Sequence, residues 1–318
     1  MANTTNKLRV VFGDLNLGVY AGDVHLNFSY NIGGLSSLTR GGREWIYRAA
    51  KPTFWRATTD NDRGSSFHLK SGMWLSADMF IKTVGIDVVR DGVTLDNFLP
   101  PMNNVYTNEE YADELSITFH HETITVPAAR ADVTYTVTAD GNIRVTCTYF
   151  GQEGLPQLPA FGWRVIMPTK ATGFTYEGLS GETYPDRKAG GVPGTYEVKG
   201  LPVTPYLVPQ ECGMHMDTQW VSITRDSVQS NVGRDLPATS LTVAKADAPF
   251  AFSCLPYTAE ELENATHREE LPLARRTVLC VFGAVRGVGG IDSWGSDVED
   301  AYHISAEKDI SFSFNIRL

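Results

Sequence analysis

The chain has 318 residues, 42% hydrophobic and 20% charged, a composition that folds and excludes a wholly disordered protein. Lys and Arg number 27 against 37 Asp and Glu, a formal charge of −10. That balance argues against sequence-independent nucleic-acid binding and against docking on an anionic membrane.

Residues 1–18 lack a basic region followed by a long apolar stretch, so no signal peptide is expected. No apolar run approaches about 18 residues, so no transmembrane helix is expected either. Both readings predict a cytoplasmic protein. Short strand-like runs follow at 8–12, 25–30 and 115–120. Val133, Tyr135 and Val137 then alternate with threonines, Asp140-Gly141 interrupts, and Ile143, Val145, Cys147 and Tyr149 resume the alternation. This pattern predicts a β-hairpin whose turn favours positive φ. Further strand-like runs lie at 161–167, 220–224 and 276–282.

Helical signal is sparse. The clearest case is 258–267, where Thr258 and Glu261 form a capping-box pattern. At the end of the sequence, Ile310, Phe312, Phe314, Ile316 and Leu318 share one parity, which predicts a terminal strand tied into a sheet. Glycine and proline fall mostly between these runs. Many short strands with such punctuation predict a sandwich or barrel. No linker, charge block or fixed-period repeat is present. The prediction is therefore an all-β fold in one domain, 1–318, built as a large antiparallel β-sandwich.

The cysteines, Cys147, Cys212, Cys254 and Cys280, are too far apart for a zinc ribbon or a paired redox site. Four free thiols in a reducing compartment are expected. His120-His121 would point to opposite faces of a strand and cannot share a metal there. Gly287-Val288-Gly289-Gly290 precedes no helical pattern, so a dinucleotide loop fails its context.

Residues 54–64, Phe-Trp-Arg-Ala-Thr-Thr-Asp-Asn-Asp-Arg-Gly, are the most unusual stretch. Asp60 and Asp62 could face a hard cation. They could equally form a turn in which side chains bond their own backbone. Residues 287–295 hold four glycines and Trp294. An indole on such a loop has few flanking side chains to pack against, and its apolar face suits the C–H face of a sugar. A core position for Trp294 remains the competing reading.

Four segments carry a resemblance. They are Phe54-Trp55-Arg56-Ala57-Thr58-Thr59-Asp60-Asn61-Asp62, then 178–187 ending in Tyr184-Pro185-Asp186-Arg187, then Tyr206-Leu207-Val208-Pro209-Gln210-Glu211-Cys212-Gly213, and Gly289-Gly290-Ile291-Asp292-Ser293-Trp294. In this order they resemble the C-terminal domain of long-chain lacZ-type bacterial beta-galactosidases of glycoside hydrolase family 2. Thr58 stands where that family usually has proline, and 178–187 lacks the family's Gly-Pro element. The chain begins with its own Met close to where that domain would start. It is thus similar to the small subunit of the heterodimeric beta-galactosidases of lactic-acid-bacterial type.

The resemblance implies a galactose-mutarotase-like sandwich and a beta-galactosidase large subunit as partner. The catalytic glutamates, with magnesium and sodium, would lie on that large subunit. This chain would carry no cofactor and no catalytic residue. Trp294, with Asp292 and Ser293, would contact the beta-galactoside. Glu211, Cys212 and Gly213 match a mobile loop near the site. Arg56, Asp60, Asn61 and Asp62 match a structural or interface signature. An obligate partner implies an exposed apolar patch; Trp45, Trp55 and Trp74 are candidates for it, or for the core. Two other readings stand beside this one: a self-sufficient mutarotase-like enzyme using His215 and Glu211, and a carbohydrate-binding module.

Overall fold

A computed structural model describes residues 6–99, 106–107, 109–229 and 237–318. The first five residues of the N-terminal stretch read above lie outside them. Among the described residues the strands form three antiparallel sheets of six, ten and five strands. The six-stranded sheet is a meander of early strands that includes Leu8–Phe12, Asn16–Ala21 and Val24–Ser29. The alternation at 133–149 folds as predicted, into strands Arg130–Thr138 and Ile143–Phe150. Gly141 in the connecting turn has φ +82°, a conformation a side chain would strain.

The terminal alternation becomes strand Ile310–Arg317. It lies inside the ten-stranded sheet, between Ile143–Phe150 and Thr239–Lys245. Helix is confined to short pieces, and Ala259–Asn264 carries the predicted Thr258/Glu261 capping box.

One apolar core joins all three sheets. Phe28 of the six-stranded sheet packs 5.2 Å from Tyr135 of the ten-stranded sheet, ring centre to ring centre. Trp163 of the five-stranded sheet donates its indole N–H to the Tyr135 hydroxyl at 2.9 Å. The ten-stranded sheet thus backs both others, and the period-2 burial of its strands follows from having only one covered face.

The five-stranded sheet is different. Phe250–Leu255 is buried at every position and Ala160–Met167 at all but one. Both faces of this sheet must therefore be covered. Its outer cover consists of residues 54–62, the 201–213 segment and helix Ala259–Asn264, with Ala57, Cys212, Leu255 and Leu262 packed together. Trp45, Trp55 and Trp74 are all buried, so the core reading holds for each and none contributes to a surface patch. The four cysteines are free thiols. His120 lies toward solvent against Asp87 and Asp132, while His121 is buried. Among the described residues, no helix is long and apolar enough to cross a membrane.

Candidate functional site

The four segments singled out in the sequence converge on the outer layer of the five-stranded sheet. At their centre is Asp62. Thr59 caps the short helix Asp60–Gly64, accepting from the Asp62 N–H at 3.1 Å, while the Asp62 carboxylate accepts from the Thr59 N–H at 2.8 Å. The same carboxylate takes Arg56 at 2.6 Å and Arg286 at 3.2 Å, all three side chains being buried. Burial alone would raise the Asp62 pKa. The Arg56 charge and the Thr59 donors outweigh it and hold the carboxyl below the usual range. The positive charge facing Asp62 is thus supplied by two guanidinium groups. The cation reading of Asp60 and Asp62 gives way to a capped helix pinned by arginines. Among the described residues, no cluster of metal-ligating side chains occurs.

The glycine-rich loop is fastened to this knot. Arg56 donates to the Gly287 carbonyl at 2.8 Å and Asn61 to the Val288 carbonyl at 3.1 Å. Asp186, of the Tyr184-Pro185-Asp186-Arg187 segment, accepts from the N–H groups of Val288 and Gly289 at 2.9 and 2.8 Å. Arg187 donates to the Gly289 carbonyl. Asp292 then accepts from the Trp294 N–H at 3.0 Å and the Ser296 N–H at 3.1 Å, and takes the Ser296 hydroxyl as well. These bonds hold its carboxyl below the usual range. The loop is braced at both ends, and the Trp294 ring at its tip is 90% exposed. A core position for Trp294 is excluded.

The 206–213 segment reaches the same helix. Gln210 accepts from the Asp60 N–H at 3.0 Å and donates to its carboxylate at 3.2 Å. Arg63 bonds Asp60 at 3.1 Å and the Pro209 carbonyl at 3.4 Å. Glu211 and Cys212 are buried, whereas Leu207 is 86% exposed. Burial pushes the Glu211 carboxyl up to about 8, with Arg56 opposing and Glu182 adding to the rise. Tyr184 donates its hydroxyl toward Glu211 at 3.5 Å.

Thr58, where proline was expected, has a local reason. Its N–H donates to Glu263 at 2.7 Å and its hydroxyl to the other oxygen of that carboxylate at 2.8 Å. Proline has neither donor. His215, the acid of the mutarotase-like reading, is buried among Phe174, Tyr176 and Phe252. Burial pulls its pKa down to about 4, which leaves it neutral and without an open side to a substrate.

A family model described as "Beta galactosidase small chain" matches residues 20–316. This chain belongs to the beta-galactosidase small-chain family. Its similarity to a beta-galactosidase small subunit of Latilactobacillus sakei is 60% identity over 99% of both chains. A beta-galactosidase of Halalkalibacterium halodurans is 34% identical over 99% of this chain, and one of Streptococcus thermophilus 31% over 97%. The chain spans only 28% and 27% of those two longer relatives. Among solved structures, a galactose mutarotase-like protein from Lactobacillus casei aligns over 95% of this chain and 99% of its own, with 10% identity and a TM-score of 0.42.

In this small-chain protein the site contains residues that sequence reading passed over. Arg286, Asp186 and Glu263 each fasten one motif to another. The Thr59-x-x-Asp62 spacing was a readable capping signal. Arg286 offered none, because it reaches Asp62 across 224 positions.

Proposed function

We propose that this chain is the small subunit of a heterodimeric beta-galactosidase, which hydrolyses lactose and other beta-galactosides and transfers galactose. The large subunit carries the catalytic glutamates and the metal ions, and this chain needs neither a cofactor nor a reacting carboxylate of its own. In a retaining mechanism, one carboxyl attacks the anomeric carbon and a second, about 5 Å away, handles protons. The chain's part is to complete the sugar site, with Trp294 as an apolar platform on a braced loop and Asp292 and Ser293 beside it as further contacts to the sugar. The complex works in the cytoplasm.

The observation that carries this reading is the full-length match to a small subunit together with an indole displayed to solvent on an anchored loop. The reading is favoured over a mutarotase-like enzyme because His215 is enclosed by aromatic rings. Co-expression with and without a large beta-galactosidase chain, followed by lactose hydrolysis, tests it. Activity is expected only with both chains. Hydrolysis by this chain alone, or no gain from adding it, would overturn the reading. Anomer interconversion by the lone chain would favour the mutarotase alternative.

A further inference from the structure

Among the described residues, the five most exposed large apolar side chains are Trp294 at 90%, Leu207 at 86%, Leu273 at 81%, Val126 at 79% and Leu69 at 73%. They gather around helix Asp60–Gly64. The Trp294 loop is fastened to that helix where Asn61 donates to the Val288 carbonyl. Leu207 belongs to the segment whose Pro209 carbonyl takes Arg63 and whose Gln210 takes the Asp60 N–H. Leu69 lies on the next helix, Phe67–Lys70, docked by Phe67 with the Arg286 guanidinium 3.8 Å from the ring centre. Val126 rests on the turn after it, its N–H donating to the Met73 sulfur at 3.4 Å. On the opposite side, Leu271 and Ala274 share a groove with Tyr206, Pro209 and Gln210, and Leu273 lies between the first two.

Single exposed leucines need no explanation, but five such residues on one face do. The display is also rigid. Each segment that carries one of them along the helix is bonded or packed in place, so little freedom is lost when a partner arrives. The exposed charges of the helix, Asp60 and Arg63, pair with each other and leave its surface neutral. The groove has a volume of about 220 Å³ and apolar walls from Tyr206, Leu262 and Leu271. It has room for one apolar side chain from outside.

We propose that this face is where the large subunit docks, and that the groove beside Leu207 takes one protruding apolar side chain of that subunit as an anchor. The inference rests on the subunit reading and adds the surface to it. A sugar held between Trp294 on one chain and carboxyls on the other requires the two chains to meet around it. Apolar residues on both sides of the platform would keep water out of that seam. A second copy of this chain fits less well. In a two-fold pair the same patch meets itself, so each Trp294 would be covered by the other copy. The longer relatives, of which this chain spans 28% and 27%, carry far more polypeptide beside the matched stretch, so an equivalent face there has a neighbour at hand.

The test titrates a large beta-galactosidase chain against the full small chain, without sugar, by calorimetry and sedimentation. Leu207→Asp, Leu273→Asp and Leu69→Asp should each weaken association about tenfold or more, as loss of a packed apolar anchor does. These side chains are exposed, so the urea midpoint of the lone chain should stay at the wild-type value. Where an Asp variant shifts that midpoint, Ser at the same position takes its place. Leu15→Asp and Val93→Asp change exposed residues of the six- and ten-stranded sheets and should leave affinity unchanged. Wild-type binding that ignores all three leucine variants overturns the inference and leaves the subunit reading standing. So does equal weakening by Leu15→Asp and Val93→Asp. Self-association of the lone chain that the leucine variants abolish, with binding to the large chain intact, assigns the face to a second copy and also overturns it. No binding by the wild type overturns the subunit reading and this inference together.

Discussion

Gly295 rests its backbone on Gly64. A β-carbon added to Gly295 would lie 2.8 Å from the Gly64 carbonyl carbon, and one added to Gly64 would lie 3.0 Å from the Gly295 Cα. The loop that displays Trp294 is thereby laid directly on the helix that ends at Gly64, with no side chain between them. Gly295 also has φ +84°.

Gly295→Ala should therefore lift the loop from its seat. The left-handed backbone costs about 1–2 kcal/mol for a residue with a β-carbon, and the contact with Gly64 adds to it. In the reconstituted complex, KM for lactose should rise several-fold. An unchanged KM would mean that the seat does not place the indole.

Trp294→Ala should separate binding from stability. The ring is exposed, so urea unfolding of the chain should shift by no more than about 0.5 kcal/mol. Aromatic stacking is typically worth about 1 kcal/mol beyond the area it covers. KM should rise and acceptor choice in galactosyl transfer should change, with a smaller effect on kcat. Equal kinetics with several acceptors would remove Trp294 from the sugar site.

Asp60 and Asp62 are two positions apart and should respond very differently. Asp62→Asn leaves two buried guanidinium groups short of their counter-charge, a loss of about 3–5 kcal/mol. Asp60 pairs with Arg63 at the surface, and Asp60→Asn should cost no more than about 1 kcal/mol. Denaturant unfolding of both variants checks this. Comparable losses would contradict the assigned roles.

The pH dependence of stability should carry a signature of Glu211. Its folded pKa, about 8, lies above the ordinary carboxylate value, so the native state holds a proton that the unfolded chain releases. Stability from this group is complete below the unfolded pKa and is lost as pH rises toward 8. His121 and His215, both pulled down to about 4 by burial, act in the opposite sense, but only below about pH 6.5. His120, raised by its two aspartates against burial, shares the sign of Glu211. Between about pH 6.5 and 8 the wild type should lose stability, and Glu211→Gln should lose markedly less. Equal slopes in unfolding titrations would place the Glu211 proton elsewhere.

Much of this architecture is legible where the physics is local. The alternation from Val133 to Tyr149 needs only neighbouring residues to declare a hairpin, and Thr258 with Glu261 declares a helix start. For Trp294 the glycine-rich loop leaves a surface and a core position both open, and the structure decides for the surface. The connections among the motifs are another matter. Asp186 meets Val288 across 102 positions and Arg56 meets Gly287 across 231. Such pairs are fixed by how the sheets stack, and single-sequence periodicity carries no information about that stacking. Glu211 illustrates the limit: its acidity depends on burial among Arg56, Glu182 and Tyr184, none of them adjacent in sequence.

Strand Ile310–Arg317 has a consequence for shortened products of this polypeptide. Among the described residues it is the only strand joining Ile143–Phe150 to Thr239–Lys245. A polypeptide cut before Ile310 would present two raw edges facing an empty lane, each a template for a stranger's backbone. Such fragments would recruit one another before they were merely unstable, so nonsense damage near the end of the message would yield clumps instead of a weakened subunit.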